Sequence, residues 1–342
     1  MAQRFDPRRL ELAGEPMPIA EKIGFDPVTR QSCFSVSDTG VVAYQSGASG
    51  KSQFVWVDRS GRQIGVAGPR GEFGDLQLAP DGKSVAFHKF DSGTFGIWVM
   101  GIASGIASHL TFGVGDFTPI WSPDGSRIVF GSNRDGRMNL YQKASTGEGN
   151  EEPLLKSPLP KFPSSWSSDG RYVVYGILDP NTKWDIWILP LAGDQPPLPF
   201  LQTPADERRA TISPNGRWMA YVSNELGRNE IYVRPFPPAG GKWQISTGGG
   251  NQPRWRSDGK ELFYLASDRT LMAAEVNTDK ATFESGAPKA LFEARLGTPD
   301  LPGNSYAVTA DGQRFLLNSL VEEASYSSIT VLLDWQAALP KK

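Results

Sequence analysis

The sequence predicts an all-β fold, a seven-bladed β-propeller of four-stranded antiparallel blades. Three observations predict it. A turn phrase returns seven times at a spacing of forty to fifty-odd residues, an apolar run follows most copies, and no window sustains a 3.6-residue period. The clearest copies of the phrase are PIWSPDG at Pro119–Gly125, SSWSSDG at Ser164–Gly170 and PRWRSDG at Pro253–Gly259. Weaker copies are LQLAPDG at Leu76–Gly82, ATISPNG at Ala210–Gly216, YAVTADG at Tyr306–Gly312 and the irregular FSVSDTG at Phe34–Gly40. Their final glycines are 42, 43, 45, 46, 43 and 53 residues apart, the period of a four-stranded blade.

Each element of the unit has a physical reason. Four positions before each glycine stands an apolar residue: Val36, Leu78, Trp121, Trp166, Ile212, Trp255 and Val308. A fixed register of this kind suits an inner strand with one face against the next blade. Pro-Asp-Gly or a variant follows, where Pro presets φ, Asp bonds its own backbone and Gly accepts φ > 0. Then comes a second strand mixing β-branched and aromatic residues, as in SRIVFGS at Ser126–Ser132 and RWMAYVS at Arg217–Ser223. A third strand carries Val55-Trp56, Ile97-Trp98, Leu140-Tyr141, Ile186-Trp187 and Ile231-Tyr232, and comes early in the sixth unit at Leu271-Met272. Weaker outer strands close the units, such as GKWQIST at Gly241–Thr247 and PKALFEA at Pro288–Ala294. The last unit lacks its outer strand, and PMPIAEK at Pro16–Lys22 matches that segment in pattern. The expectation is therefore one propeller domain over residues 1–342, with residues 9–22 completing the last blade at 303–336. Closure of this kind removes free sheet edges.

Composition excludes several chemistries. One cysteine, Cys33, cannot form an internal disulfide, and no CxxC is present. Cys33 is expected as a buried small side chain. Two histidines leave little for metal or nucleophile chemistry, and a net charge of −2 gives no argument for nucleic acid. The opening MAQRFDPRRLELAGEP is charged and proline-containing, unlike a signal peptide, and no apolar run approaches the roughly 18 residues of a membrane span.

The repeats resemble the WD40-like repeat called PD40, found in TolB-type propellers. The strings WSPDGSRIVFGSNRDG, EIYVRPFP, KWQISTGGGNQPRWRSDGKELFYLA and ITVLLDWQAAL resemble more closely the C-terminal propeller of bacterial membrane-anchored serine/threonine kinases. That resemblance implies a sensor or interaction module outside the membrane. The kinase half is absent: no Gly-rich loop with a following Lys, no HRD and no DFG occur, so no catalytic residue is carried over.

Candidate chemistry is sparse. GASGKS at Gly47–Ser52 ends like a P-loop, but position 45 is Gln45 where a Gly is required, and a strand follows in place of a helix. His88 and His109 are the available bases, without a G-x-S-x-G elbow, and are expected at a surface or blade edge. Asp179, Asn181 and Asp185 offer oxygen donors, but their spacing misses the EF-hand and suits a turn. Trp121, Trp166 and Trp255 recur at one packing position, whereas Trp184 and Trp243 are the candidates for an exposed sugar platform.

The remaining site is the face where outer-to-inner loops converge on the channel. Asp75, Asp116, Lys161, Arg208, Arg209, Asn251 and Gln252 are expected to line its rim. No metal and no cofactor are expected. The reading is a non-catalytic module binding a protein, peptide or small ligand; the alternatives are a propeller hydrolase or lyase with a site in the channel, or a spacer. A His–acid pair at the channel mouth would favour the enzyme.

Overall fold

The structure is a computed structural model that describes residues 2–20, 23, 25–26, 31–45, 51–91, 94–113, 115–193, 195–280, 282–296, 303–321 and 329–333. Every regular element among them is a β-strand, and none is a helix long and apolar enough to cross a membrane. The chain divides into a small unit, residues 1–51 and 322–342, and a large unit, residues 52–321.

The large unit contains six antiparallel sheets. The first runs Phe73–Leu78, Ser84–Asp91, Thr94–Gly101, Ala107–His109; the second Asp116–Trp121, Arg127–Ser132, Asn139–Ala144, Glu152–Leu155. The third is Lys161–Trp166, Tyr172–Asp179, Lys183–Pro190, Leu198–Leu201, and the fourth Glu207–Ile212, Trp218–Ser223, Glu230–Pro235, Trp243–Gln244. The fifth is Asn251–Trp255, Glu261–Leu265, Thr270–Asn277 and Lys289–Glu293, with Glu284–Ser285 pairing the far end of the third strand. The sixth joins Tyr306–Val308 and Arg314–Leu320 to Ser52–Asp58 and Gln63–Gly71.

Packing closes these sheets into a ring. The second strand of each sheet alternates its side chains between two neighbours, which is why its sequence is a continuous apolar run. Val129 packs toward the third sheet, while Ile128 and Phe130 pack toward the first. Leu262 and Tyr264 meet the fourth sheet, and Phe263 and Leu265 meet the sixth. The cycle is completed where Leu316, Ala307 and Phe54 of the sixth sheet bury against Leu76, Val85 and Phe87 of the first. The turn phrase performs as its residues dictate: Gly82, Gly125, Gly170, Gly216, Gly259 and Gly312 all hold φ between 68° and 75°. In PIWSPDG, the Asp124 carboxylate accepts from Ser126 N at 3.0 Å and from the Ser122 hydroxyl at 2.5 Å.

The described sheets depart from the seven-bladed expectation. The first repeat is divided: Phe34–Val36 and Val42–Gln45 pair with each other and with Ile329–Leu332 in the small unit. Its later strands, Ser52–Asp58 and Gln63–Gly71, complete the sheet of the last repeat. Residues Glu11–Met17, expected to close the last blade, instead form a hairpin with Ala2–Asp6. Burial gives the reason. Phe54, Val55 and Val57 are buried between the fifth and first sheets, whereas Phe34, Val36, Ile329 and Val331 remain exposed. Cys33, expected to be buried, is also exposed.

This closure is directly testable. Val55 and Leu317 face each other across the closing pair, and opposed strand residues hold their Cβ atoms roughly 5 Å apart. With Cys33→Ser, the double substitution Val55→Cys and Leu317→Cys should oxidise to an intramolecular disulfide and raise the melting temperature. Two thiols that stay free under oxidant would show that Arg314–Leu320 pairs elsewhere.

Candidate functional site

The channel wall is built by a defect repeated at one place. In five sheets the innermost strand carries one residue more than its partner: between Gly74 and Gln77, Phe117 and Ile120, Pro163 and Ser165, Arg208 and Thr211, and Asn251 and Arg254. Such bulges bend a strand and re-aim its side chains. At the bulge, seven residues before the turn glycine, Asp75, Thr118, Arg209 and Gln252 hold φ of 51°, 51°, 55° and 54°. Left-handed backbone is unfavourable for these side chains, most of all for β-branched Thr118, by about 1–3 kcal/mol each. In the third sheet the same position is Pro163, whose ring forbids it.

The bulge sorts the strand's side chains. Nine positions before the glycine, Asp116, Lys161 and Glu207 are buried, whereas the bulge residues Asp75, Thr118, Pro163 and Arg209 come together at the channel and Gln252 lies buried between sheets. A cavity of about 40 Å³ there is lined by Asp75, Thr118, Arg208, Arg209, Arg254 and Asn304, with Phe162, Pro163 and Trp184 closing one side. The only ionisable carboxylate among the lining residues is Asp75, against three guanidiniums.

Of the predicted rim residues, the structure brings Asp75, Arg208 and Arg209 together on this cavity. Asp75 is buried, and its Oδ2 accepts from Thr118 N at 3.1 Å and lies 2.8 Å from His88 Nδ1. Its Oδ1 rests on the bare Cα of Gly303, where a Cβ would fall 1.2 Å away. Asp116 is fully buried and is held by Arg134 Nη2 at 3.3 Å from both carboxylate oxygens. Lys161 is fully buried, donating to Leu159 O at 2.6 Å, Asn139 Oδ1 at 3.2 Å and Ser157 O at 3.3 Å. Burial pulls its ammonium down to about 8. Gln252 is buried and ties the fifth sheet to the sixth, with Oε1 accepting from Ser305 N at 2.7 Å and Nε2 donating to Ser305 Oγ at 3.2 Å. Asn251 is half-buried, and its Oδ1 accepts from Gln252 N at 3.0 Å.

Sequence reasoning missed Arg254. Its signal lay in PRWRSDG: five positions before the other turn glycines of the large unit stand Gln77, Ile120, Ser165, Thr211 and Ala307, none charged. Arg254 is half-buried on the channel wall, and burial pulls its guanidinium below the ordinary value. Arg254 Nη2 and Arg208 Nε have no hydrogen-bond partner. A larger hollow of about 440 Å³ outside the ring differs in this respect. Its Glu261 is paired with Arg256 at 2.5 Å and with Arg59 at 2.8 Å.

The other candidates resolve locally. His88 is buried, not at an edge, and its ring stands edge-on to Phe95 and Phe117 at 5.3 and 5.4 Å. Its Nε2 faces the Gly74 backbone so closely that a Cβ there would lie 2.3 Å away. His109 stacks on Trp98 at 4.5 Å, and burial lowers its pKa. Asp179 Oδ1 caps its own turn at Asn181 N, 2.8 Å, and Asp185 is buried against Thr182 and Gln202. No three His, Cys, Asp or Glu side chains among the described residues are grouped to hold a metal ion. Trp121 and Trp255 donate to carbonyls of the preceding sheet, Gln77 O at 3.1 Å and Thr211 O at 3.0 Å, whereas Trp166 bonds its own Gly170 O at 3.2 Å. Trp184 packs on Phe162 and Trp243 on Trp218, both at 5.5 Å between ring centres. Of GASGKS, residues 47–50 lie outside the described residues, and Ser52 opens a strand.

Residues 32–179 match the PD40 family, described as the TolB beta propeller domain. An uncharacterized protein of Agrobacterium fabrum is 31% identical over 178 residues, 50% of this chain and 59% of that protein. YuxL, an uncharacterized peptidase of Bacillus subtilis, is 34% identical over 110 residues, 30% of this chain and 17% of the peptidase. The chain thus spans less than two thirds of either curated relative. A structure from Agrobacterium tumefaciens, provisionally assigned as TolB, superposes with a TM-score of 0.61 at 18% identity, covering 79% of this chain and 98% of that one. The similarity establishes a TolB-like β-propeller fold.

Lys161 gives a pH test with a definite sign. Its pKa is about 8 in the native state against 10.5 as a free side chain, so between these values only the unfolded chain holds the proton, and stability rises with pH. In urea unfolding, wild type should gain on Lys161→Met by up to about 1.4 kcal/mol per pH unit across that window. Parallel pH profiles would show that Lys161 keeps its ordinary value.

Proposed function

We propose that this chain is a non-catalytic recognition module that takes its partner, a protein, peptide or small ligand, at the channel end where the bulged inner strands converge. The observation that carries this reading is the concentration of strained backbone and uncompensated polar groups there. Strain at Asp75, Thr118, Arg209 and Gln252 is maintained at four equivalent places, and strain of this kind gathers at functional sites. The likeness to kinase-linked propellers supports a signalling role outside the membrane, within a larger protein.

The enzyme reading has one specific observation in its favour, the Asp75–His88 pair. An acid that orients a histidine is half of a catalytic relay. Here the other ring nitrogen faces the Gly74 backbone, and phenylalanine rings flank the imidazole. No reacting group can approach within hydrogen-bond reach of Nε2, as a general base requires. The pair instead fixes Asp75 against Thr118 N.

Selection of displayed peptides against the immobilised full chain tests the proposal. Enriched peptides should lose at least tenfold in affinity when Arg208 and Arg209 are both replaced by Ala. Failure to enrich any binder, or binding unchanged in that variant, would overturn the channel-end assignment. Cleavage of a selected peptide that His88→Asn abolishes would establish the enzyme reading.

A further inference from the structure

The recognition reading names a place but no ligand chemistry. We infer that the channel end binds an oxyanion head group, a carboxylate or phosphate, gripped between Arg208, Arg209 and Arg254. This inference rests on the recognition reading and specifies its ligand class.

Three observations carry it. Three guanidiniums and one carboxylate line the same cavity; the Oδ2 of that carboxylate is engaged by His88 and Thr118 N, and its Oδ1 lies against Gly303. The lining therefore carries an excess of positive charge over its one carboxylate, Asp75, an arrangement that an added anion would ease. Next, Arg208 Nε and Arg254 Nη2 have no hydrogen-bond partner. Buried N–H groups are almost always paired in folded proteins, so two orphans beside one cavity indicate an acceptor that comes from outside the chain. Guanidinium forks match the paired oxygens of carboxylate and phosphate, and such charge-assisted bonds are the strong ones. Last, the free space is about 40 Å³, room for a few water-sized groups and so for a small polar head. The ligand enters end-on, with its remaining atoms outside the cavity toward the loops.

The surrounding residues suit this task. Phe162, Pro163 and Trp184 form an apolar side that lowers the local dielectric and strengthens the charge contacts. Thr118 Oγ1 is likewise without a partner and can donate to the same anion. The three guanidiniums come from two adjacent sheets, the fourth and the fifth, so a bound anion would bridge them.

The test uses the full chain with inorganic phosphate and with citrate as probes, against potassium chloride at matched ionic strength. Isothermal titration should give one site for at least one probe, with a saturable rise in melting temperature over the chloride control. A response to phosphate alone identifies a phosphate head, and a response to citrate alone a carboxylate. Arg208→Gln and Arg254→Gln should each weaken binding at least tenfold. Without anion, Arg254→Gln should melt no lower than wild type, which separates loss of binding from loss of fold. Arg254→Lys keeps the charge but not the fork and should retain part of the affinity. Absence of any response beyond chloride for both probes would overturn the inference, as would undiminished binding in both Gln variants. Displayed peptides that still bind at the channel end under either of those outcomes would leave the recognition reading standing and remove only the anion.

Discussion

The rest of the large unit depends on one pairing, Arg314–Leu320 with Ser52–Asp58. A propeller sheet is apolar on both faces and cannot stand alone, since each needs a neighbour on either side. Five successive sheets supply neighbours to one another by chain order. The sixth interface has to be made by segments more than two hundred and fifty residues apart in sequence. When it forms, Leu316 and Phe54 become buried against Leu76 and Phe87, and Phe315 and Leu317 against Phe263 and Leu265. It also brings Asn304 O to Leu76 N at 3.0 Å, and Gly303 under the Asp75 carboxylate. The wall of the channel is thus a product of closure.

The second constraint is the bulge. A regular strand would send alternate side chains to opposite faces of its sheet. One extra residue breaks that alternation at the same depth in five sheets, and the chain then delivers a side chain to the axis. Neighbouring inner strands are linked there by polar contacts: Thr118 N to Asp75, Ile212 N to Ser165 Oγ at 3.2 Å, and Ser305 N to Gln252. Those links fix the sheets against each other and leave Arg208 Nε and Arg254 Nη2 without a hydrogen-bond partner. The residues that link the sheets and the arginines proposed for recognition are therefore largely different members of the same short strands.

Much of this was legible in the sequence. The turn phrase and the run after it located the first two strands of every sheet, because Pro-Asp-Gly geometry and two-sided burial are local demands. The ring's closure was not legible. The pattern of PMPIAEK suits an outer strand as well as Gln63–Gly71 does, and only long-range packing decides between them. At the site, placing loop residues at the rim recovered Asp75, Arg208 and Arg209 but also gathered Asp116, Lys161 and Gln252. Asp116 and Lys161 lie two positions before the bulge and are buried, and Gln252, at the bulge itself, is drawn into the next sheet by its bonds to Ser305. A bulge leaves no simple composition signal, since it is occupied here by Asp, Thr, Pro, Arg and Gln. Arg254 could have been found, as a lone charge at a position otherwise uncharged.

Hydrogen exchange resolved along the chain tests the closing pair most directly. Amides in Arg314–Leu320 and Ser52–Asp58 should exchange only through global unfolding, as slowly as those in Trp218–Ser223, the second strand of the fourth sheet. Exchange in Arg314–Leu320 orders of magnitude faster than in Trp218–Ser223 would contradict the ring, and with it the channel that the recognition site requires.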